Sequence, residues 1–191
     1  MHRKRKVAPG WEGLQIFAIG HSTHPIEDFI VLLQSHGVAI LADIRTVPRS
    51  RTNPQFNVDV LGGTLRRAGI EHLHIAELGG LRKRMPDSPN GAWRNRSFQG
   101  YADHMQTETF ARGLEILRQT AQRGPTAIMC AEALRWRCHR SLVSDALFAR
   151  GVVVEHIESR TRTRPHQPPA FARIRGLKVT YPPELAEAAH G

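Results

Sequence analysis

Short apolar runs alternate with segments of helical periodicity along most of this chain. Five runs have the length and apolar content of buried strands: LQIFAIG (14–20), VAILAD (38–43), IEHLHI (70–75), TAIMCA (126–131) and VVVEHI (152–157). Apolar residues spaced three and four apart predict helices in segments 25–36, 58–68, 101–123 (one or two helices) and 138–150. Near-continuous apolar strands are typical of parallel sheets covered on both faces. We therefore predict a three-layer α/β fold, with a mostly parallel sheet of about five strands and helices on both faces.

A long segment between the third strand and the next helix shows no period. It runs from about residue 77 to residue 97 and contains several glycines and prolines. Loops of roughly 20 residues are uncommon inside compact domains and often have a function. We expect residues 81–97, with Trp93, Arg94 and Arg96, to close over a site as a lid.

Composition limits the protein class. The 191 residues, 40% hydrophobic and 23% charged, suit one globular domain. No run of about 18 apolar residues occurs, so we expect no membrane helix. The basic N-terminus lacks an apolar h-region, so we expect no secretory signal. Two cysteines make no disulfide framework, and we expect a reduced, cytoplasmic protein.

The excess positive charge lies near the two ends of the chain. The formal net charge is +10; residues 3–6 contribute four bases, and residues 159–178 contribute six without an acid. We therefore expect a neutral α/β domain at 14–158 between a basic arm at 1–13 and a basic, proline-containing extension at 159–191. Both ends resemble poorly structured segments. Three interpretations of these ends are open. They bind nucleic acid or another polyanion, they serve only as solubilising tails, or their arginines fold back onto acidic residues of the body. No helix-turn-helix, zinc-finger or RNA-binding-sheet motif is present.

Side chains with chemical potential follow the ends of the predicted strands. Right-handed crossovers bring these ends to one edge of a parallel sheet, where ligands bind in open α/β folds. The residues at this edge are His21 and Ser22 after the first strand, Asp43 and Arg45 after the second, Glu132 after the fourth, and Cys138, His139 and Arg140 at the start of the last helix.

These residue types suit anion binding and proton transfer. Arg45 and Arg140, with the amides at the helix start, are candidate anion-binding groups, and we place Ser22, Asp43 and His139 with them. His21 and Glu132 are the candidate general acid and base. Cys138 is a candidate nucleophile, because a helix N-terminus and basic neighbours lower a thiol pKa; alternatively, it only shapes the pocket.

Several of these residues also have structural interpretations. Asp43 can pair with Arg45, Ser22 can cap the following helix, and Cys130 fits a small core side chain. A phosphatase loop is not matched, since Arg135 and Arg137 miss the required distance from Cys130 by one residue on either side.

Metal binding is a further possibility. His21, Asp43, Glu132 and His139 offer suitable donors but no ligand spacing on a single element, so we predict no metal site and specify no cofactor.

The combination of motifs resembles a known family. IGHSTHPIEDF, DIRTVPRS, GIEHLHIAELGG, SFQGYADHM, MCAEALRWRCHRSLV and VEHI occur in this order. As a set they resemble the DUF488 family over about residues 17–157, which omits both basic ends. The resemblance implies an α/β fold and a shared site but no substrate. The family-like positions are Gly20, His21, Ser22, Asp43, Arg45, Pro48, Leu78, Gly79, Gly80, Phe98, Tyr101, Ala102, Cys130, Ala131, Glu132, Cys138, His139 and Arg140.

Two functions from different classes remain open. The first is a small α/β enzyme that acts on an anionic, phosphate-bearing substrate such as a nucleotide or nucleic acid. The second is a non-catalytic module that binds nucleic acid through the basic ends and a ligand through the pocket. The second predicts binding that weakens steeply with salt and disappears with those ends.

Overall fold

A computed structural model describes residues 7–134 and 138–183. Its main sheet has six strands in the order β3-β2-β4-β1-β5-β6. The strands are β1 (Gln15–Gly20), β2 (Ile40–Asp43), β3 (Glu71–His74), β4 (Thr126–Cys130), β5 (Val153–Ile157) and β6 (Thr163–Pro165). The first five pair in parallel, and β6 adds antiparallel to β5. The predicted mostly parallel sheet is confirmed, and the polar third strand lies at an edge.

Five α-helices cover the sheet in the part of the chain that the structure describes. They are α1 (Ile26–Ser35), α2 (Val58–Arg67), α3 (Arg96–His104), α4 (Glu108–Arg123) and α5 (Arg140–Ala149). Predicted segment 101–123 contains the end of α3 and all of α4. The last helix begins at Arg140, so Cys138 precedes it.

Alternate strand residues pack into two separate cores. Leu41 and Met129 join the apolar faces of α1 and α2 on one side of the sheet. Their sequence neighbours Ala42 in β2 and Ile128 in β4 pack against α4 and α5 on the other side of the sheet. Successive strand side chains point to opposite faces. The predicted three-layer α/β fold is therefore confirmed.

The basic C-terminal extension differs from the expectation over residues 163–181. After β6 the chain forms a hairpin of β7 (Arg173–Arg175) and β8 (Lys178–Thr180). Val179 and Tyr181 are buried in the same core as α4 and α5. The expectation that this segment is poorly structured is therefore wrong. A few isolated apolar residues among the arginines hold the segment against the core. Residues 3–6 and 184–191 lie outside the described residues.

The predicted lid is fastened to the body over much of its length. Asp103 of α3 accepts hydrogen bonds from Ser88 and Asn90 through Oδ1 and from the amide of Met85 through Oδ2. The ring of Trp93 packs on Tyr181 with centroids 5.3 Å apart. A lid movement of the whole segment would therefore break buried contacts.

Among the described residues, no helix combines the length and apolar character that crossing a membrane requires.

Candidate functional site

The carboxyl edge of the sheet opens into a pocket of about 410 Å³. Residues after β2 and β4 form its floor, and the start of α3 and the loop before it form one wall. Its lining includes Arg45, Phe98, Tyr101, Cys130, Glu132, Cys138 and His139. An adjoining pocket of about 390 Å³ shares Arg45 and Glu132 and is also lined by His21 and Ser22. Six of the eight predicted site residues thus line one divided cleft.

Arg45 is held in place by Asp43. Its Nε and Nη2 atoms donate to the two carboxylate oxygens over 2.9 and 2.6 Å, and Nη2 also donates to the carbonyl of Phe56. Burial raises the pKa of Asp43, but hydrogen bonds from Arg45 and the nearby ring of His72, whose Nε2 lies 3.6 Å from Oδ2, outweigh it and lower that pKa to about 2. Asp43 is fully buried and lines neither pocket. Asp43 pairs with Arg45 and largely neutralises it, as the structural alternative expects, and its predicted place among the anion-binding residues stays a prediction.

His21 orients Arg45. Because a guanidinium only donates, His21 Nε2, 3.3 Å from Arg45 Nη1, is the acceptor, and Nδ1–H donates to the carbonyl of Ser22. The imidazole stacks on Phe56 with centroids 4.1 Å apart. Burial lowers the pKa of His21 to about 4. Both ring nitrogens are occupied, so the arrangement suits positioning better than proton transfer.

Ser22 links the ends of β1 and β4. Its backbone has a φ of 47°, in the left-handed region, and its amide donates to the carbonyl of Ala131. Its side chain does not cap α1, which has no side-chain cap. The capping alternative is therefore not observed, and Ser22 instead lines the adjoining pocket.

The histidines of the cleft predict a loss of stability in acid. Burial lowers the pKa of both His21 and His139 to about 4, from an ordinary 6.5. The unfolded chain therefore binds more protons than the folded protein between these values, so stability falls as pH decreases from 6.5 to about 4. Above pH 6.5 both groups are neutral in both states and contribute no slope. Urea unfolding across this range measures the slope, and His21→Phe should reduce it; an unchanged slope would contradict the assignment.

The two cysteines are in contact at the floor of the pocket. Cys130 ends β4, and the chain returns at Cys138, whose thiol hydrogen-bonds Cys130. Burial raises the pKa of Cys130, but the hydrogen bond from Cys138 and the charge of Arg140 outweigh it, so this pKa lies below its ordinary value. The hydrogen bond with Cys130 and burial raise the pKa of Cys138 well above its ordinary value. Of the two thiols, Cys130 therefore loses its proton more readily.

His139 supplies a base next to Cys138. Its Nε2–H donates to the carbonyl of Ile44 over 2.8 Å, which leaves Nδ1 as an acceptor, 3.6 Å from Cys138 Sγ. The close packing of this ring requires a glycine opposite it, since a Cβ on Gly80 would lie 2.9 Å from Nδ1. His139 thus contacts Cys138, and its predicted part in anion binding stays a prediction.

Arg140 is a buried cation without a carboxylate partner among the described residues. The residue is 2% exposed. Its Nη2 atom donates one long hydrogen bond, of 3.4 Å, to the carbonyl of Ala133, whereas Nε and Nη1 have no hydrogen-bond partner among the described residues. It lines a separate cavity of about 480 Å³ behind the cysteines, not the main pocket. The amide of Arg140 donates to Cys138 Sγ, and the next amides of α5 also have backbone partners. These contacts do not favour anion binding in the main pocket by this helix start, which stays a prediction.

Gly20 allows Arg140 to approach the sheet. A Cβ on Gly20 would lie 2.0 Å from the carbonyl oxygen of Glu132 and 2.8 Å from Arg140 Nη1. Glu132 itself is exposed, and its carboxylate accepts from the amide of Leu134. It remains accessible to a ligand in both pockets.

Sequence reasoning did not select Cys130 as reactive. The signal in the sequence is the position of the two cysteines. Cys130 ends a strand and Cys138 lies just before the next helix, so both sulfurs lie at the same edge of the sheet. Arg135 and Arg137 lie outside the described residues. Within the described ranges, no group of three or more His, Cys, Asp or Glu residues could hold a metal ion.

Exposed bases surround the cleft. They lie in the segment after β2 (Arg49 and Arg51), in the loop before α3 (Lys83, Arg84 and Arg94) and at the first residue of α3 (Arg96). Asp87 is the only acid in segments 44–57 and 81–97. The body is neutral in total, but Arg49 lines the adjoining pocket, and Arg94 and Arg96 are sequence neighbours of Asn95 and Ser97, which line the main pocket. We call these six residues the basic rim.

Comparison with known proteins identifies the family. The model of a family described as "Domain of unknown function DUF488" matches residues 25–147, more than half of the chain. The matched segment contains Arg45, both cysteines and His139, while His21 and Ser22 lie shortly before it. No curated protein and no solved structure matches the chain. The resemblance in the motifs is confirmed, and this protein belongs to the DUF488 family.

Proposed function

We propose that this protein is a small α/β enzyme that uses Cys130 as a nucleophile on an anionic, phosphate-bearing substrate. The observation that carries the proposal is the buried Arg140 next to the Cys130–Cys138 pair at the floor of an open pocket.

The charge of Arg140 explains why Cys130 is reactive. Burying an unpaired guanidinium is strongly unfavourable, and a nearby thiolate provides the missing negative charge. The thiolate is the nucleophilic form of cysteine. Cys130 also lines the main pocket, so a bound substrate can reach it. The nucleophile predicted at Cys138 is therefore moved to Cys130.

The remaining groups have distinct roles in this proposal. The Cys130 sulfur forms a bond to the electrophilic centre of the substrate as the bond to the leaving group breaks. The leaving group takes a proton from solvent, and the exposed carboxylate of Glu132 takes a proton from the water that releases the product and restores the thiolate. His21 and Asp43 position Arg45, and the basic rim attracts the anionic substrate.

Two matched alkylating reagents test the nucleophile and the charge preference together. Iodoacetate and iodoacetamide transfer similar groups to sulfur with loss of iodide, but only the former is an anion. We expect the ratio of the iodoacetate rate to the iodoacetamide rate at Cys130 to exceed that of free glutathione by about tenfold, because the basic rim concentrates anions. Mass spectrometry of peptides identifies the labelled cysteine.

Charge variants provide the controls. Arg94→Ala combined with Arg96→Ala should lower the ratio, while Arg66→Ala combined with Arg67→Ala should not, since these exposed residues end α2 at the opposite edge of the sheet. Labelling of Cys138 in place of Cys130, or a ratio equal to that of glutathione, would contradict the proposal.

The basic rim also favours the second candidate function, nucleic-acid binding without catalysis. This function predicts oligonucleotide binding that falls steeply with salt, decreases in the Arg94/Arg96 variant and is unchanged in Cys130→Ser. Deleting the C-terminal extension is not a suitable test, because Tyr181 belongs to the core.

A further inference from the structure

Cys130 and Cys138 are the only cysteines in the sequence, and both line the main pocket. We propose that they form a redox-active pair, which a hydroperoxide entering the pocket converts into an intramolecular Cys130–Cys138 disulfide. This activity goes beyond the proposed function, because it requires no phosphate-bearing substrate and consumes a different co-reactant.

The geometry favours reaction within one chain. The two thiols are already in hydrogen-bond contact, and a disulfide requires the sulfurs to approach to about 2 Å. Residues 131–134, which follow Cys130, are exposed and do not pack into either core. Both side chains are otherwise buried, at 1% and 5% exposure, which disfavours disulfides between two molecules.

The first step oxidises Cys130. Its thiolate attacks one oxygen of the hydroperoxide, the sulfur–oxygen bond forms and the oxygen–oxygen bond breaks. The departing alkoxide or hydroxide takes a proton from solvent, and the sulfur becomes a sulfenic acid by a two-electron oxidation. Arg140 holds the thiolate in place before this step.

The second step uses Cys138 and His139. Cys138 gives its proton to His139 Nδ1, and its sulfur attacks the sulfur of Cys130. The disulfide forms as the sulfur–oxygen bond breaks, and the leaving hydroxide takes the proton from His139 as water. In total, two thiols and one hydroperoxide give one disulfide, one alcohol or water, and one further water.

The order of the two steps follows from the contacts of Cys138. In the reduced protein, the negative sulfur of Cys130 accepts the Cys138 hydrogen bond and keeps Cys138 protonated. Oxidation of Cys130 removes this negative charge. The positive charge of Arg140 and its amide, which donates to Cys138 Sγ over 3.4 Å, then favour the Cys138 thiolate. Cys138 therefore becomes reactive only after Cys130 has been oxidised.

Peroxide treatment of the full reduced chain tests this inference. One equivalent of hydrogen peroxide should decrease the intact mass by two hydrogens, and peptide mapping without reductant should yield the linked Cys130 and Cys138 peptides. Dithiothreitol should restore both the mass and the alkylation of Cys130. A disulfide between two chains, stable addition of oxygen without a linked peptide, or no reaction would overturn the proposal.

Three variants separate the steps. Cys138→Ser should stop at the sulfenic acid, which dimedone traps on Cys130, and Cys130→Ser should give neither product. His139→Gln keeps a donor for the Ile44 carbonyl but supplies no base, so disulfide formation should slow by at least about tenfold while dimedone labelling of Cys130 increases. Equal oxidation of Cys138 in Cys130→Ser would overturn the assigned order. No anionic reagent is used, so failure of the iodoacetate test leaves this result interpretable.

Discussion

Replacing Arg140 by Met will slow alkylation of Cys130 near pH 7 by at least about tenfold, while the free energy of unfolding changes by less than about 1 kcal/mol. The charge of Arg140 lowers the pKa of Cys130, and no carboxylate of the described residues competes for it. Without this charge, Cys130 takes up a proton and becomes neutral, so no unpaired charge stays buried. Met retains much of the side-chain volume that packs against Gly20.

The pH profile of iodoacetamide alkylation measures this effect, with urea unfolding as the readout of stability. The midpoint of the profile should move to higher pH in Arg140→Met. Arg150→Met is the matched control, because Arg150 follows the other end of α5 and donates to the carbonyl of Ala146. A profile that stays at the wild-type pH would show that Arg140 does not stabilise the Cys130 thiolate.

Tyr181→Ala should destabilise the protein by about 3 to 5 kcal/mol, in the range of other fully buried aromatic side chains. The Tyr181 ring has no exposed surface, and its hydroxyl donates to Asp145 Oδ2 over 2.5 Å. Its backbone also accepts from the amide of Ala92 and donates to Asn90 Oδ1. The substitution removes apolar contacts and leaves one carboxylate oxygen of a buried acid without this donor.

Denaturation in urea tests the expectation, and Tyr181→Phe separates its two parts. Loss of the hydroxyl alone should cost about 1 to 3 kcal/mol, because Asp145 then keeps only the His166 bond at Oδ1. Leu177→Ala, in the exposed β7–β8 turn, should change stability by less than about 0.5 kcal/mol. If Tyr181→Ala were as stable as Leu177→Ala, the extension would be a peripheral arm after all.

The C-terminal extension and Arg140 depart in opposite ways from what their positive charge suggests in the sequence. The arginines between residues 159 and 178 suggest an arm, yet the extension is fixed by three buried residues that no period reveals: His166, Val179 and Tyr181. In contrast, Arg140 looked like an exposed anion-binding group near a helix start. The structure buries it beside a thiol, where its charge acts on the protein's own side chain.

The layers of the fold and the edge of the sheet that carries the candidate site can be predicted from the local sequence patterns. Apolar strands and helical periodicity are local patterns, and right-handed crossovers fix the common direction of the strand ends. The sequence therefore assigns five of the site residues to one edge: His21, Arg45, Glu132, Cys138 and His139.

The contacts of each of these residues depend on the packed fold. The pairing of Asp43 with Arg45, the contact of Cys130 with Cys138 and the enclosure of Arg140 depend on distances between different elements, which no spacing along the chain specifies. The same holds for the basic rim, where loops from separate parts of a neutral body gather at one opening. Reactivity arises from burial and neighbouring charge, and both are properties of the packed protein rather than of its local sequence.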